Sequence, residues 1–270
     1  GSAFQTPVFK HRSSAQGHVG PHNRQVVSRR FFDPKECKVK RTLTHPMITL
    51  ALVLSAISVS HAQGPLGLDQ KVERLLVAIG GRAAWAGVTN TINDSQQNRL
   101  EDPTVVRSVI TMDFSRQRFK IETTAPGVRV IRVIDETRNW RLTRQGSIEA
   151  VPENIVKEDL DWYAAHVYRT LHRIARRDSS IRLTTGTRDR LEVYEADKRI
   201  AWFALDANGE PYAFGAHADD VGSVCGPWDF SQDGIRHLTW VARPDGSWRA
   251  SIRSLIVNAS LSDAVFARPL

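Results

Sequence analysis

Two stretches of this sequence alternate between apolar and polar residues, and that alternation limits the fold more than any other feature. They are RSVITMDFS and RFKIETT, and they lie close together along the chain. Successive side chains of a strand point to opposite faces, so each stretch has one face to bury and one to solvate. We therefore predict neighbouring antiparallel strands that share an apolar face formed by Ile110, Met112, Phe114, Phe119 and Ile121.

Further strands and turns extend this pattern. Val128–Ile134 and Asn139–Thr143 have the composition of two more strands. In the C-terminal part, Asn208-Gly209, Asp233-Gly234 and Pro244-Asp245-Gly246 each separate two apolar-rich runs. Such residues favour hairpin turns, so we predict consecutive antiparallel hairpins.

Two helical segments accompany the strands. Apolar residues recur at helical spacing in Leu68–Ile79, which ends at Gly80-Gly81, and in Val156–Ile174, which follows Pro152. The predicted class is therefore α+β. We expect an open, strongly curved antiparallel β-sheet, a half-barrel of about 11 strands, with helices covering its concave side.

The run MITLALVLSAISVS precedes all of these elements. It is shorter than the roughly 20 residues that a transmembrane helix needs, so we expect no transmembrane span in the mature chain. Lys38, Lys40 and Arg41 lie before the run, and Ser60-His61-Ala62 follows it with small residues at the first and third positions. This order is typical of a cleavable secretory signal, although a buried core helix is the alternative.

We accordingly divide the chain into three parts. Residues 1–38 are interpreted as non-native upstream sequence, with Val39 or Met47 as the true start, or as a disordered basic arm. Residues 39–62 are the predicted signal peptide and residues 63–270 a single domain. Lys and Arg exceed Asp and Glu by 9 − 2 = 7 up to Ala62 but by only 28 − 27 = 1 afterwards. The mature domain is nearly neutral, which argues against nucleic acid as a partner.

Catalytic and metal-binding motifs are absent from the sequence. It has no nucleophile elbow, no phosphate-binding glycine loop and no His or Cys pair at metal-ligand spacing, so we predict no enzyme activity, no metal and no cofactor. Cys225 would be the one cysteine of the mature chain, and we interpret it as a small buried apolar group. The mature domain also contains all seven tryptophans. Large aromatics on a curved sheet either fill a core or line an apolar cavity.

Three segments in order resemble the periplasmic carriers of outer-membrane lipoproteins, the LolA-like and LolB-like family. They are FSRQRFKIE, DETRNWRL, and GPWDFSQDGIRHL followed by RPDGSWRASIRSLIVNASLSDAVFARP. The resemblance extends over roughly Leu68–Pro269 and depends on order and pattern. The proline that the family has within the first segment is replaced by Gln117.

The resemblance implies a periplasmic protein that binds acyl chains of a lipid or lipoprotein in the cavity of the sheet, with an envelope protein that donates or receives them. It assigns Arg118, or its neighbour Arg116, as the strand arginine and Trp140 as a cavity aromatic. Combined with strand parity, it predicts that Trp140 joins the shared apolar face of the two strands and that Tyr163 and Val167 close the cavity. Two other classes stay open: an envelope structural module with a packed core, and an exported enzyme.

Export can be tested directly. If the signal is cleaved after Ala62, protein secreted into the periplasm begins at Gln63, because signal peptidase cuts after small residues. Intact-mass measurement of the exported protein checks this. A mass that still includes the residues up to Ala62 would refute both the signal and the charge argument.

Overall fold

The computed structural model describes residues 67–102, 104–216, 221–230 and 234–269. The proposed upstream segment, the proposed signal peptide and Asp233 lie outside these ranges. Within them the chain forms four α-helices: α1 (Leu68–Ala78), α2 (Arg82–Ala86), α3 (Glu153–Ala165) and α4 (Val167–Ala175).

The same ranges contain fifteen strands. They are β1 (Asn90–Arg99), β2 (Val106–Asp113), β3 (Arg118–Ala125), β4 (Val128–Ile134), β5 (Trp140–Leu142), β6 (Ile148–Ala150), β7 (Ile181–Thr185), β8 (Leu191–Glu195), β9 (Lys198–Leu205), β10 (Pro211–Ala216), β11 (Ser223–Cys225), β12 (Trp228–Phe230), β13 (Arg236–Leu238), β14 (Trp240–Ala242) and β15 (Trp248–Val257).

Among the described strands, thirteen form one antiparallel sheet in the order β6-β5-β4-β3-β2-β1-β15-β14-β11-β10-β9-β8-β7, and β12 and β13 form a separate pair. The two edge strands β6 and β7 do not pair, so the sheet is open. The predicted α+β class and open antiparallel sheet are confirmed. The predicted count of about 11 strands is too low. Strands β6, β11 and β14 have three residues each, which is too short to show alternation in sequence, whereas β5 lies within the predicted strand at 139–143.

Strands β2 and β3 pair as the alternation predicts. Ile110 lies opposite Ile121 and Met112 opposite Phe119, which places these four side chains on one face. The predicted hairpins at 208–209 and 244–246 join β9 to β10 and β14 to β15. Gly209 and Gly246 have φ of 88° and 74°, a backbone conformation that costs little only for glycine.

The sequence did not reveal strand β1, which lies in the middle of the sheet between β15 and β2. Its residues, NTINDSQQNR, include one large apolar side chain. Thr91, Asn93 and Ser95 are nevertheless buried. A strand can therefore be buried on one face by small polar residues, and its composition then looks like that of a loop.

The predicted second helix is two helices. His166 separates α3 from α4 with a ψ of 131°, an extended value at which the helical hydrogen-bond ladder breaks. The apolar spacing continues across this break, so periodicity alone suggested one helix. Each helix consequently has its own direction and its own packing surface.

Contacts of α3 require the sheet to curve. The helix lies against β4 on one side and against β9 and β10 on the other. Seven strands lie between β4 and β9 in the sheet order. In a flat sheet, eight strand spacings would separate them by about 38 Å, whereas the 13 residues of α3 extend over about 20 Å. The face that carries the helices, here called the inner face, is therefore concave.

Packing divides between the two faces. On the inner face, α1, α2 and α4 pack on β8 to β10 and on β15 in the main core, which includes Trp85, Leu171 and Phe203. A second inner-face cluster lies beneath α3. The outer face carries a cluster around Trp140 and Phe266 and another around Trp202. None of the described helices is long and apolar enough to cross a membrane.

Candidate functional site

The candidate site is the inner-face surface beneath α3. Its floor comes from β2, β3 and β4, because residues that pair directly across antiparallel strands share a face. We call this set the floor: Ile110, Met112, Phe119, Ile121 and Ile134. Helix α3 covers the floor with Tyr163 and with the partly buried Ile155, Val156, Leu160 and Trp162.

The structure brings together most of the residues predicted to line a cavity. Ile110, Met112, Phe119 and Ile121 lie on the floor, and Tyr163 covers it from α3. Phe114 packs against both this cluster and the main core. Val167 begins α4 and belongs to the main core.

Tyr163 joins α3 to the floor. Its ring stacks on Phe119 with centroids 5.3 Å apart, and its hydroxyl donates a hydrogen bond of 2.6 Å to the carbonyl of Asp113. Burial raises the pKa of Tyr163 above its ordinary value, which keeps the hydroxyl protonated as a donor. The floor is thus filled by protein side chains in this structure.

Ion pairs hold α3 at both sides of the concave sheet. On β4, the Arg132 guanidinium contacts the Asp159 carboxylate, with Nε and Oδ2 2.5 Å apart. On β9, Lys198 Nζ lies 2.9 Å from Asp161 Oδ1. In the first pair Asp159 is buried and Arg132 is largely covered, whereas the second pair is about half exposed. Removing two charges from water is costly, so the buried pair is a weak source of stability for α3.

Desolvation dominates the titration of Asp159. Burial raises its pKa to about 6, and the nearby Arg132 only partly offsets that effect. A carboxyl with this pKa changes charge near neutral pH, unlike an ordinary surface aspartate. The contact between α3 and β4 therefore depends on pH.

His166 occupies the break between α3 and α4. Its ring meets Trp162 edge-on, with centroids 5.0 Å apart, and its Nδ1 has no hydrogen-bond partner in the described ranges. Burial lowers the pKa of His166 to about 3, so the ring is neutral. The helical backbone is thus interrupted beside a buried imidazole whose Nδ1 makes no hydrogen bond within the described part of the chain.

Small polar residues lie beside the floor on the same inner face. Ser108 pairs with Thr123 across β2 and β3, and Asn93 and Thr91 lie opposite Ile110 and Met112. We call this set the shelf: Thr91, Asn93, Ser108 and Thr123. All four are buried, and each has a side-chain oxygen that finds no hydrogen-bond partner among the residues that the structure describes. Buried polar groups normally find partners, so the shelf can accept or donate further hydrogen bonds.

The structure places Arg118 and Trp140 on the outer face, away from the floor. Trp140 lies opposite Val133 and not opposite Ile134, which faces the floor. Both residues are buried, at 4 % exposure each. The expectation that Trp140 shares the face of Met112 and Phe119 is therefore not met.

Arg118 and Trp140 instead fix the segment 261–269, here called the strap. The Trp140 indole donates a hydrogen bond of 2.9 Å to the carbonyl of Phe266. The Arg118 guanidinium lies over the Phe266 ring, 4.4 Å from its centroid, and donates to Asp263 and Asp113 at 2.6 and 2.8 Å. Arg116 also donates to Asp263.

In the part of the chain that the structure describes, potential metal ligands do not cluster and the thiol of Cys225 stays protonated. No cluster of three or more His, Cys, Asp or Glu side chains there could hold a metal ion. Cys225 is buried, as the sequence analysis predicted, and its thiol donates a hydrogen bond of 3.2 Å to the carbonyl of Pro211. Burial raises the pKa of Cys225 to about 12, which suppresses the nucleophilic thiolate.

Comparison with known proteins gives distant structural likenesses. No family model and no curated protein sequence matches the chain. A DUF1329 family protein from Desulfovibrio piger has 9 % sequence identity and a TM-score of 0.40, over 76 % of this chain and 98 % of that one. A domain from Vibrio parahaemolyticus described as an outer membrane lipoprotein-sorting protein has 11 % identity and a TM-score of 0.40. The match covers 74 % of this chain and 97 % of that one.

A conserved protein of uncharacterised function from Thermus thermophilus has 11 % identity and a TM-score of 0.30, over 75 % of this chain and 93 % of that one. At TM-scores of 0.40 and below, these likenesses are too weak to assign a fold family or a function to this chain. The residues of the site therefore have to support any functional conclusion.

Truncation of Trp140 tests its structural role. We expect Trp140→Ala to lower the free energy of unfolding by roughly 3 to 5 kcal/mol, because it opens a cavity in the outer-face cluster and removes the bond to the strap. Trp140→Phe keeps the ring volume in part and serves as the milder variant. Guanidinium unfolding measures both. A loss below about 1 kcal/mol for the alanine variant would show that Trp140 contributes little packing to the outer-face cluster.

A pH titration tests Asp159. Its pKa is raised in the folded protein, so the stability it contributes is complete below its ordinary pKa of 3.8 and is lost as pH rises through about 6. Asp159→Asn mimics the neutral carboxyl. We expect the unfolding free energy of the wild type, relative to this variant, to fall by up to roughly 3 kcal/mol between pH 4 and pH 7. Urea unfolding across this window measures the difference, and a constant difference would contradict the assignment.

Proposed function

We propose that this protein is a non-catalytic carrier that binds an acyl chain of a lipid or lipoprotein on the floor, with α3 as a movable cover. The single observation that carries the proposal is the arrangement of α3. This helix covers an apolar cluster of its own, separate from the main core. A cover with separate packing can move without unfolding the rest of the domain.

Three features permit that movement. The break at His166 separates α3 from α4 and provides the hinge. The buried pair Arg132–Asp159 is weakened by desolvation, and the pair Lys198–Asp161 is partly solvated. Moving α3 away would expose Asp159 and His166 to water, which offsets part of the cost of exposing the floor.

The floor and the shelf together favour an amphipathic ligand. An acyl chain on the floor would replace the α3 side chains. Its transfer from water would stabilise the complex by about 0.8 kcal/mol for each buried CH₂ group. The shelf oxygens on Ser108, Thr123 and Asn93 would hydrogen-bond a polar group at the end of that chain. Apolar walls with a few directed polar groups are typical of small-molecule sites.

Export completes the proposal. The sequence pattern of residues 39–62 supports cleavage and a periplasmic location, where a protein that shields acyl chains from water is useful. The LolA-like sequence pattern supports a role in outer-membrane lipoprotein or lipid transport. An envelope protein would then donate or receive the ligand.

A second candidate is a non-catalytic structural module of the envelope. One observation favours it: Met112 and Phe119 are fully buried by neighbouring side chains, as in a solid core. The structural module differs from the carrier in one respect: its helix α3 stays on the floor and no ligand replaces it.

Titration with dansylated undecanoic acid separates the two. The carrier binds this probe saturably and shifts its emission to the blue, because the dansyl group leaves water. Ile110→Trp fills the floor at a half-buried position and weakens binding by at least about tenfold. Val109→Trp is the matched control, because Val109 has the same burial class on the same strand but belongs to the outer face.

We expect Val109→Trp to stay within about twofold of the wild type. Circular dichroism confirms that each variant is folded. If folded wild type does not bind the probe, or if both variants weaken binding equally, the carrier proposal fails and the structural module replaces it.

A further inference from the structure

A cavity lies on the outer face, between the sheet and the strap. Its volume is about 220 Å³. Ile131, Trp140 and Leu142 contribute from β4 and β5, and Val265 and Ala267 contribute from the strap. The walls are therefore mostly apolar. This cavity is open in the structure as it stands and needs no displacement of α3.

The walls of the cavity are held in place from both sides. The hydrogen bond from the Trp140 indole to Phe266 fixes the ring plane. At the start of the strap, Asp263 accepts hydrogen bonds from Arg118 and Arg116. Near its end, Arg268 donates to the carbonyl of Ile148 on β6. A cavity fixed in this way costs little ordering when a ligand enters.

Charge is distributed unevenly around the cavity. Lys120 and Arg129 both line it. Glu122 lies between them, 3.1 Å from Lys120 Nζ and 2.8 Å from Arg129 Nε. Desolvation acts to raise the pKa of Glu122, but the hydrogen bonds from Arg129 and Lys120 outweigh it and lower the pKa below its ordinary value. Among the described side chains named here, two cations thus face one carboxylate, which leaves one positive charge in excess.

We propose that this cavity binds a small apolar monocarboxylate, with its hydrocarbon part against Trp140 and its carboxylate at Lys120 and Arg129. Size supports this class. A water-sized group takes up about 30 Å³, so the cavity has room for roughly seven non-hydrogen atoms. A long acyl chain has more atoms than that. The site goes beyond the proposed carrier function and does not depend on it, because that function concerns the inner face.

Hexanoate is the probe, and hexylamine is its control of opposite charge. Isothermal titration with the full domain measures binding, and the Trp140 indole N–H signal in a nitrogen-15 spectrum reports its location. Trp140→Phe assigns that signal by its disappearance. We expect hexanoate to bind with one-to-one stoichiometry and to shift the Trp140 signal, whereas hexylamine does neither.

Variants test the apolar wall and the charge separately. Ala267→Leu fills the cavity from an exposed strap position and abolishes hexanoate binding. Arg129→Met weakens binding by about fivefold or more through the lost charge, and Arg253→Met, an exposed strand arginine outside the cavity lining, serves as its control. Glu122→Gln strengthens binding, because it removes the competing carboxylate.

Ile110→Trp leaves hexanoate binding unchanged, which separates this site from the floor. The proposal is overturned if the folded wild type does not bind hexanoate, if hexylamine binds equally well, or if Ala267→Leu binds like the wild type. It is also overturned if Arg129→Met and Arg253→Met have equal effects.

Discussion

One helix, α3, has to cover the middle of a concave sheet, and the rest of the structure depends on how it does so. The helix reaches β4 on one side and β9 on the other only because the sheet curves around it. That curvature brings distant strands onto a common inner surface. The other three helices fill one half of this surface, which leaves the floor to α3 alone.

The desolvation of buried polar groups makes the contact between α3 and the sheet less stable than its apolar packing suggests. Asp159 is ionised at neutral pH only against the cost of its own burial, and the buried His166 has no partner for Nδ1 among the described side chains and backbone. Both groups would gain solvation if α3 moved away. The apolar contacts of Tyr163 and its neighbours oppose that gain. The balance between these effects decides whether the floor is a core or a binding surface.

Sequence alone predicted the parts of this fold that depend on local pattern. Strands β2 and β3 follow from alternation, because one face of each must be apolar, and β4 follows from its strand-like composition. Strand β1 was missed because Thr91 and Asn93 are buried polar residues in a strand with little apolar content. The face of Trp140 was misjudged because it depends on the register between β4 and β5, where it pairs with Val133. Which residues of one strand share a face can be read from that strand's own sequence. Which residues of two strands lie opposite each other depends on the turn between them.

Movement of α3 on ligand binding is the central claim, and a distance measurement tests it most directly. Spin labels at the exposed positions Lys157 on α3 and Arg253 on β15 report the separation of helix and sheet. The account predicts that an acyl ligand shifts the pulsed electron-resonance distance distribution to longer values, because α3 moves away from the floor. An unchanged distribution in protein saturated with a bound acyl ligand would contradict it.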